Sequence, residues 1–182
     1  KLKSPIEERY FLPMLGKHYM YNATGAILVA RYFDIPFENI QYGLDHMNAT
    51  GNRNELIKAN GFSILNDCYK SNPSSLLVAL DTLYNLKGFD QKIVVLGDMQ
   101  GLGDTEIEMH EDVGRQIDPK EVEYILTIGP ISKHLGKAAK INFSEDKIIS
   151  CDTNDELMEN LKKTVKPNSV VLVKASRAFE LE

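Results

Sequence analysis

Ile93-Val94-Val95-Leu96 is an unbroken apolar run, and Gly97 and Asp98 follow it directly. A strand without polar alternation is typical of a parallel sheet that is covered on both faces. Four further strand candidates, at 62–65, 124–128, 147–150 and 169–174, are separated by segments with helical spacing of apolar residues. Because parallel neighbours need a crossover of a dozen or more residues, this alternation predicts a doubly wound, mostly parallel α/β sheet.

The first 47 residues follow a helical pattern instead. One helix is expected from His18 to Phe33, and Pro36 suits the first turn of a second helix. The expected apolar face of the first helix consists of Tyr21, Ala26, Ile27, Val29 and Ala30. The stretch 48–54 is polar and contains a glycine, which predicts a linker. We therefore expect a helical section at 1–47 and an α/β domain at 48–182.

Composition excludes several classes of protein. The chain has 182 residues, 43% of them hydrophobic and 26% charged, as is ordinary for a globular domain. Its net charge of −5 is spread along the sequence and provides no basic surface for nucleic acid. No apolar run approaches the roughly 18 residues of a membrane span. The sequence starts without an initiator Met or an apolar leader. We therefore expect a cytoplasmic piece of a longer protein, with Cys68 and Cys151 as free thiols.

Polar residues follow three of the predicted strands. Parallel α/β sheets bind ligands at the carboxyl ends of their strands, so these residues are the candidate site. Asp67, after the first strand, can accept hydrogen bonds from a ribose, and Tyr69 offers an aromatic face to a base. Lys174 and Arg177, after the last strand, can hold a carboxylate or a phosphate. The sequence has neither a G-x-x-x-x-G-K-[ST] loop nor a G-x-G-x-x-G fingerprint, and we predict no metal site in it.

Several motifs, in order along the chain, resemble the Mur ligase family. The segment Gly16-Lys17-His18-Tyr19-Met20-Tyr21-Asn22-Ala23-Thr24-Gly25-Ala26 is similar to the G-x-H-N-x-x-N-x-x-A segment near the end of the family's central ATPase domain. Asn52-Arg53 resembles the arginine motif that opens the C-terminal domain. The remaining matches are Asn66-Asp67-x-Tyr69-x-x-Asn72-Pro73, Leu96-Gly97-Asp98-Met99-x-x-Leu102-Gly103, His110 and Lys174-x-Ser176-Arg177.

The resemblance implies a Rossmann-like C-terminal domain preceded by the end of the central ATP-binding domain. Mur ligases activate a carboxylate with ATP as an acyl phosphate, which an amine then attacks. The elements Gly97-Asp98-Met99-x-x-Leu102-Gly103 and Lys174-x-Ser176-Arg177 favour the branch that joins D-Ala-D-Ala to UDP-N-acetylmuramoyl-tripeptide in peptidoglycan synthesis. The phosphate loop and the Mg²⁺ ligands are expected in a part of the central domain that this sequence does not include. The chain alone is therefore expected to be inactive.

The resemblance also implies roles for individual residues. Asn22 is expected to contact adenine, Asp67 the ribose, and Tyr69 the nucleotide site. Arg53 is expected to reach the phosphates when the domains close, and it is the one predicted catalytic residue. Five residues are expected on the side of the incoming dipeptide: Lys174, Ser176, Arg177, Asp98 and His110. Gly101 and Ala175 depart from the family motifs, which have Glu and Gly at these positions.

Two other hypotheses stay open at this point. Asp67, Asp98 and Lys174 also resemble the acids and the lysine of a phosphoacceptor signalling module, which is likewise a doubly wound domain. The second alternative is a Mur-type ligase that acts on a different amine. Phosphorylation by acetyl phosphate and a comparison of amine substrates distinguish these hypotheses from the first.

Overall fold

The computed structural model describes residues 8–47 and 51–181. Contacts between Cα atoms divide the chain into two compact units, residues 1–49 and 50–182. Residues 48–50 of the predicted linker lie outside the described residues. The predicted boundary between residues 47 and 48 lies beside this gap and stays a prediction.

The first unit contains two helices, α1 (Lys17–Tyr32) and α2 (Phe37–Asp45). Its small core consists of Ala23, Ile40 and Leu44 and the partly buried residues around them, Tyr10, Leu12, Ile27 and Ala30. The predicted apolar face of α1 is wrong in part, because Tyr21 and Val29 are 79% and 59% exposed. The reason is that the core includes only one stripe of α1, formed by Ala23, Ile27 and Ala30 at helical spacing.

The second unit is built on a six-stranded sheet with the order β1-β2-β6-β3-β4-β5. The strands are β1 (Glu55–Lys58), β2 (Ser63–Asn66), β3 (Gln91–Gly97), β4 (Tyr124–Ile128), β5 (Ile148–Cys151) and β6 (Ser169–Lys174). All neighbours pair in parallel except β1 and β2, which are antiparallel. The predicted mostly parallel α/β sheet is confirmed, and β1 is an additional strand that was not predicted.

Four helices connect the parallel strands: α3 (Pro73–Asn85), α4 (Glu106–Gln116), α5 (Ser132–Ala139) and α6 (Asn154–Thr164). From β3 the chain steps outward to β4 and β5, then returns through α6 to β6, between β2 and β3. Right-handed crossovers therefore place α3, α4 and α5 on one face of the sheet and α6 on the other. Ile93, Val95 and Leu126 form a core cluster with Leu157 of α6.

The register of the sheet brings the three polar strand ends to one edge. Asn66, the last residue of β2, is paired with Val173 of β6. Lys174, the last residue of β6, is paired with Leu96 of β3. The segments that begin at Asp67, Ala175 and Asp98 therefore leave three adjacent strands at the same level. Within the described ranges, no helix combines the length and apolar character needed to cross a bilayer.

Candidate functional site

A buried ion pair joins the ends of β2 and β6. The Nζ of Lys174 lies 2.6 Å from Oδ2 of Asp67 and donates a second hydrogen bond to the carbonyl oxygen of Lys70, at 2.9 Å. The side chain of Lys174 is 1% exposed and that of Asp67 is 16% exposed. A buried ammonium group is costly unless it is paired and hydrogen-bonded, so both acceptors stabilise Lys174 in this position. The pair fixes the segment that follows β2.

The side chain of Arg53 stacks on the ring of Tyr69. The guanidinium carbon lies 4.0 Å from the ring centroid, which is cation–π geometry. The backbone of Tyr69 donates to the carbonyl oxygen of Asn52 at 3.2 Å, and Nδ2 of Asn66 donates to Oδ1 of Asn52 at 3.0 Å. These contacts tie residues 52–53 to residues 66–69. The structure therefore brings Arg53, Asp67 and Tyr69 together at the end of β2.

Ser176 connects the end of β6 to the segment after β3. Its hydroxyl donates to the carbonyl oxygen of Asp98 at 2.9 Å and accepts from the backbone N–H of Gln100 at 3.1 Å. Its backbone N–H donates to the same carbonyl oxygen at 3.3 Å. Ser176 is 7% exposed. The hydroxyl that was predicted to lie near the dipeptide therefore holds the residues after Gly97.

The carboxylate of Asp98 is bound to the loop that leads into α5. Oδ1 of Asp98 accepts hydrogen bonds from the backbone N–H groups of Ile131 and Ser132, at 3.1 and 2.6 Å. A carboxylate at a helix N-terminus satisfies free N–H groups and interacts favourably with the helix dipole. Gly129 has a φ of +111°, and a Cβ there would lie 2.5 Å from Oδ1 of Asp98. Asp98 thus orders the connection from β4 to α5.

His110 lies under the segment that follows β3 and is 0% exposed. Its Nε2 accepts a hydrogen bond from the backbone N–H of Met99 at 2.9 Å, and its Nδ1 lies 2.6 Å from the carbonyl oxygen of Glu106. A carbonyl oxygen only accepts, so Nδ1 carries the proton and the ring is neutral. Both nitrogens are therefore used inside the protein, and His110 supports the backbone at Met99.

Replacing His110 by leucine is expected to lower the free energy of unfolding by about 1–3 kcal/mol, because the buried N–H of Met99 loses its acceptor. Hydrogen exchange at the Met99 amide should accelerate more than global unfolding explains. His110→Gln, which keeps an acceptor and a donor, should recover part of the loss. His134→Gln, at a partly exposed histidine, is the matched control. Unchanged exchange at Met99 in His110→Leu would contradict this assignment.

The two cysteines are free, as predicted, and both are buried. Cys68 lies next to Asp67, and its Sγ donates to the carbonyl oxygen of Val173 at 3.4 Å. Burial raises the pKa of the Cys151 thiol. A thiol that is buried and protonated is a poor nucleophile, so Cys151 does not provide a reactive group at the strand ends.

The structure therefore places the predicted site residues in four different surroundings. Arg53, Asp67 and Tyr69 lie together, and Lys174 joins them through Asp67. Asp98, His110 and Ser176 make hydrogen bonds to the chain itself, whereas Arg177 is exposed at the start of a short 3₁₀ turn. Asn22 is an exposed residue of α1 in the other unit. Their contacts with nucleotide and dipeptide stay predictions.

One close approach at this edge was not found from the sequence. A Cβ at Gly97 would lie 2.6 Å from the Cβ of Ala175, so the ends of β3 and β6 touch at a point where only glycine fits on the β3 side. The sequence did contain a signal for this contact, because Gly97 and Ala175 both belong to motifs at strand ends. Among residues 8–47 and 51–181, no three His, Cys, Asp or Glu side chains are grouped as metal ligands.

Comparisons with known proteins agree with this geometry. The family model described as "Mur ligase, glutamate ligase domain" matches residues 52–177. The UDP-N-acetylmuramoyl-tripeptide–D-alanyl-D-alanine ligase of Bacillus subtilis (strain 168) is 36% identical over 178 residues, which are 97% of this chain and 39% of the relative. The ligase of the same name from Buchnera aphidicola subsp. Baizongia pistaciae is 35% identical over 186 residues, and the match includes 100% of this chain and 39% of the relative.

A solved structure shows the same fold. The crystal structure of MurF from Acinetobacter baumannii superimposes with a TM-score of 0.82 at 28% identity, over 94% of this chain and 38% of that one. The chain therefore spans about two fifths of the length of the relatives that it matches.

Proposed function

Since this chain belongs to the Mur ligase family, we propose that it is the part of an ATP-dependent ligase that closes over the nucleotide and positions the amine. The reaction proposed for the whole protein joins D-Ala-D-Ala to UDP-N-acetylmuramoyl-tripeptide, the substrates for which the relatives at 36% and 35% identity are named. The family assignment does not support the phosphoacceptor alternative. The division into residues 1–47 and 48–182 and a cytoplasmic location are parts of this proposal.

The observation that carries the proposal is the grouping at the end of β2. The carboxylate of Asp67 is held by Lys174 yet partly exposed, so it can accept hydrogen bonds from a ribose. Tyr69 is 44% exposed and carries Arg53 on its ring. A guanidinium group suits phosphate oxygens, because its N–H donors match them in pairs. An acceptor for ribose and a cation for phosphate thus lie beside one another, as a nucleotide requires.

The amine side of the proposed site is the segment after β6. Arg177 is exposed, and its guanidinium can bind the carboxylate of a dipeptide in bidentate geometry. Ser176 holds the neighbouring segment through Asp98 and Gln100, while His110 supports it at Met99. These hydrogen bonds hold the backbone after β3 in place beside Arg177. Orienting the amine against an activated carbonyl carbon in this way is catalysis by proximity.

In the proposed reaction, ATP transfers its terminal phosphoryl group to the tripeptide carboxylate, and ADP leaves. The amine of D-Ala-D-Ala then attacks the carbonyl carbon, and phosphate departs as the peptide bond forms. Closure over the nucleotide excludes water, which would otherwise hydrolyse the acyl phosphate. The described residues contain no group of three His, Cys, Asp or Glu side chains for the Mg²⁺ that the resemblance implies, and its ligands are expected in the central domain.

The test is an assay of the intact protein that contains this chain. ADP release should require both UDP-N-acetylmuramoyl-tripeptide and D-Ala-D-Ala, and the product should be the pentapeptide by mass. Single amino acids and L-Ala-L-Ala serve as matched amines. Preference for one of them would favour a ligase of another specificity. An acid-labile phosphate on the protein after incubation with acetyl phosphate, without ligation, would overturn the proposal.

A further inference from the structure

We infer that Lys174 is a positioning residue that holds Asp67 for the nucleotide, and that it does not bind the dipeptide. This inference rests on the proposed function and assigns Lys174 to the opposite side of the site from the one that the sequence resemblance implies. The residues of the K-x-S-R motif then serve two different ligands. Its lysine serves the nucleotide, whereas its serine and arginine serve the amine.

The first argument is where the ammonium group of Lys174 lies. Lys174 is among the largest side chains that are completely buried in the chain. Its ammonium group donates to Oδ2 of Asp67 and to the carbonyl oxygen of Lys70, and both acceptors belong to the segment after β2. A dipeptide carboxylate that bound the same ammonium would enter a buried space beside the carboxylate of Asp67. Two like charges at one site repel each other, so this arrangement is unfavourable.

The second argument is what the pair does to Asp67. The backbone N–H of Asp67 donates to the carbonyl oxygen of Val173 at 2.9 Å, which continues the β2–β6 ladder by one residue. With the backbone anchored there and Oδ2 on Lys174, the carboxylate has a fixed orientation. A charge-assisted hydrogen bond of this kind is short and directional. A ribose that binds Asp67 therefore meets an acceptor whose geometry is set before binding, which lowers the entropic cost of binding.

The third argument is the path of the chain after β6, which lies between β2 and β3. Lys174 reaches toward the segment after β2, while Ser176 bonds to Asp98 and Gln100 in the segment after β3. Between them, Ala175 packs against Gly97. Three consecutive residues thus contact both neighbouring strand ends, the first on one side and the third on the other.

The test measures KM separately for ATP and for D-Ala-D-Ala in the intact ligase. Lys174→Met removes the ammonium group and keeps the length and apolar stem of the side chain. A hydrogen bond to a charged group affects binding by about 10- to 100-fold, so KM for ATP should rise within that range. KM for D-Ala-D-Ala should change by less than about twofold. Arg177→Met is the matched control, and it should show the reverse pattern.

A double variant shows whether Lys174 acts through Asp67. Asp67→Asn should raise KM for ATP, and Lys174→Met combined with Asp67→Asn should be no worse than the more damaging single change. Additive losses would mean that the two residues act independently and would overturn the inference. A rise in KM for D-Ala-D-Ala alone in Lys174→Met would also overturn it. If Lys174→Met does not fold, Lys174→Gln and Asp67→Asn provide the same comparison.

The failure of the proposed function has a different signature. In that case the wild-type protein does not ligate D-Ala-D-Ala at all. Titration of ADP into the wild type and into Lys174→Met then tests the inference alone. Weaker ADP binding by the variant supports the role of Lys174, and equal affinities overturn it.

Discussion

Gly114→Ala is expected to lower the free energy of unfolding by about 3 kcal/mol, the upper end of the usual range for overpacked cores. Gly114 is buried on α4, where a Cβ would lie 2.2 Å from the carbonyl oxygen of Leu135 and 3.0 Å from its carbonyl carbon. The clashing atoms are backbone atoms of α5, so no side-chain rotation relieves the overlap. The two helices must separate, which opens the buried space around Leu135. Urea unfolding at a single pH measures the change.

Gly136→Ala is the matched control in the partner helix. A Cβ at Gly136 would meet the Cγ2 atom of Ile148 at 3.2 Å, and that atom belongs to a side chain that can adjust. Inside a helix, alanine is also more favourable than glycine by up to about 1 kcal/mol. Gly136→Ala should therefore change stability by about 1 kcal/mol or less. Equal losses in the two variants would show that α4 and α5 do not approach each other as closely as described.

Arg53→Ala is expected to lower kcat of the intact protein in the proposed ligase reaction by about 10²- to 10³-fold, the usual effect of removing one donor from developing charge in a transition state. The prediction rests on the proposed function and on the position of Arg53 over Tyr69. The ring limits the rotamers of a long side chain, so we expect the guanidinium group to reach the phosphates with little further ordering. Single-turnover measurements of acyl phosphate formation distinguish this loss from slow product release.

Conservative variants separate charge from stacking at this position. Arg53→Lys keeps the positive charge but loses the planar group, so it should recover only part of kcat. Tyr69→Phe keeps the aromatic face and should remain close to wild type, whereas Tyr69→Leu should approach Arg53→Lys. Arg115→Ala, at an exposed arginine paired with Asp112, is the control and should leave kcat unchanged. Wild-type kcat in Arg53→Ala would exclude the catalytic role.

Much of the fold was predictable because its signals are local. The run at Ile93 predicted a buried parallel strand, and Asn72 caps α3 with Ser75 in a reciprocal pair of hydrogen bonds. The first strand was missed because Glu55–Lys58 is exposed throughout and consists of only four residues. Thr105-x-x-Glu108 has the spacing of a capping box, but Thr105 does not cap α4 through its side chain. Its hydroxyl donates to the carbonyl oxygen of Leu102, because a 3₁₀ turn precedes α4.

The location of the candidate site was predictable, but the direction of each side chain was not. Strand ends of a parallel sheet meet at one edge, and this rule placed Asp67 and Lys174 together. The rule does not say whether a polar side chain turns toward a ligand or toward the backbone. That choice depends on tertiary packing. His110 is buried because α4 lies beneath the segment after β3, which no local pattern specifies.

The position of β6 also has a consequence for how the protein is made. The sixth strand of this sheet in chain order lies in its interior, where residues 169–174 pair with β3 and residues 170–173 pair with β2. Until those residues leave the ribosome, β2 and β3 cannot adopt their native neighbours, and each presents an unpaired edge. Pairings over such separations form slowly, because the chain entropy is lost before the contacts are gained. Until β6 pairs with both neighbours, the nascent sheet therefore exposes strand edges that are prone to aggregation.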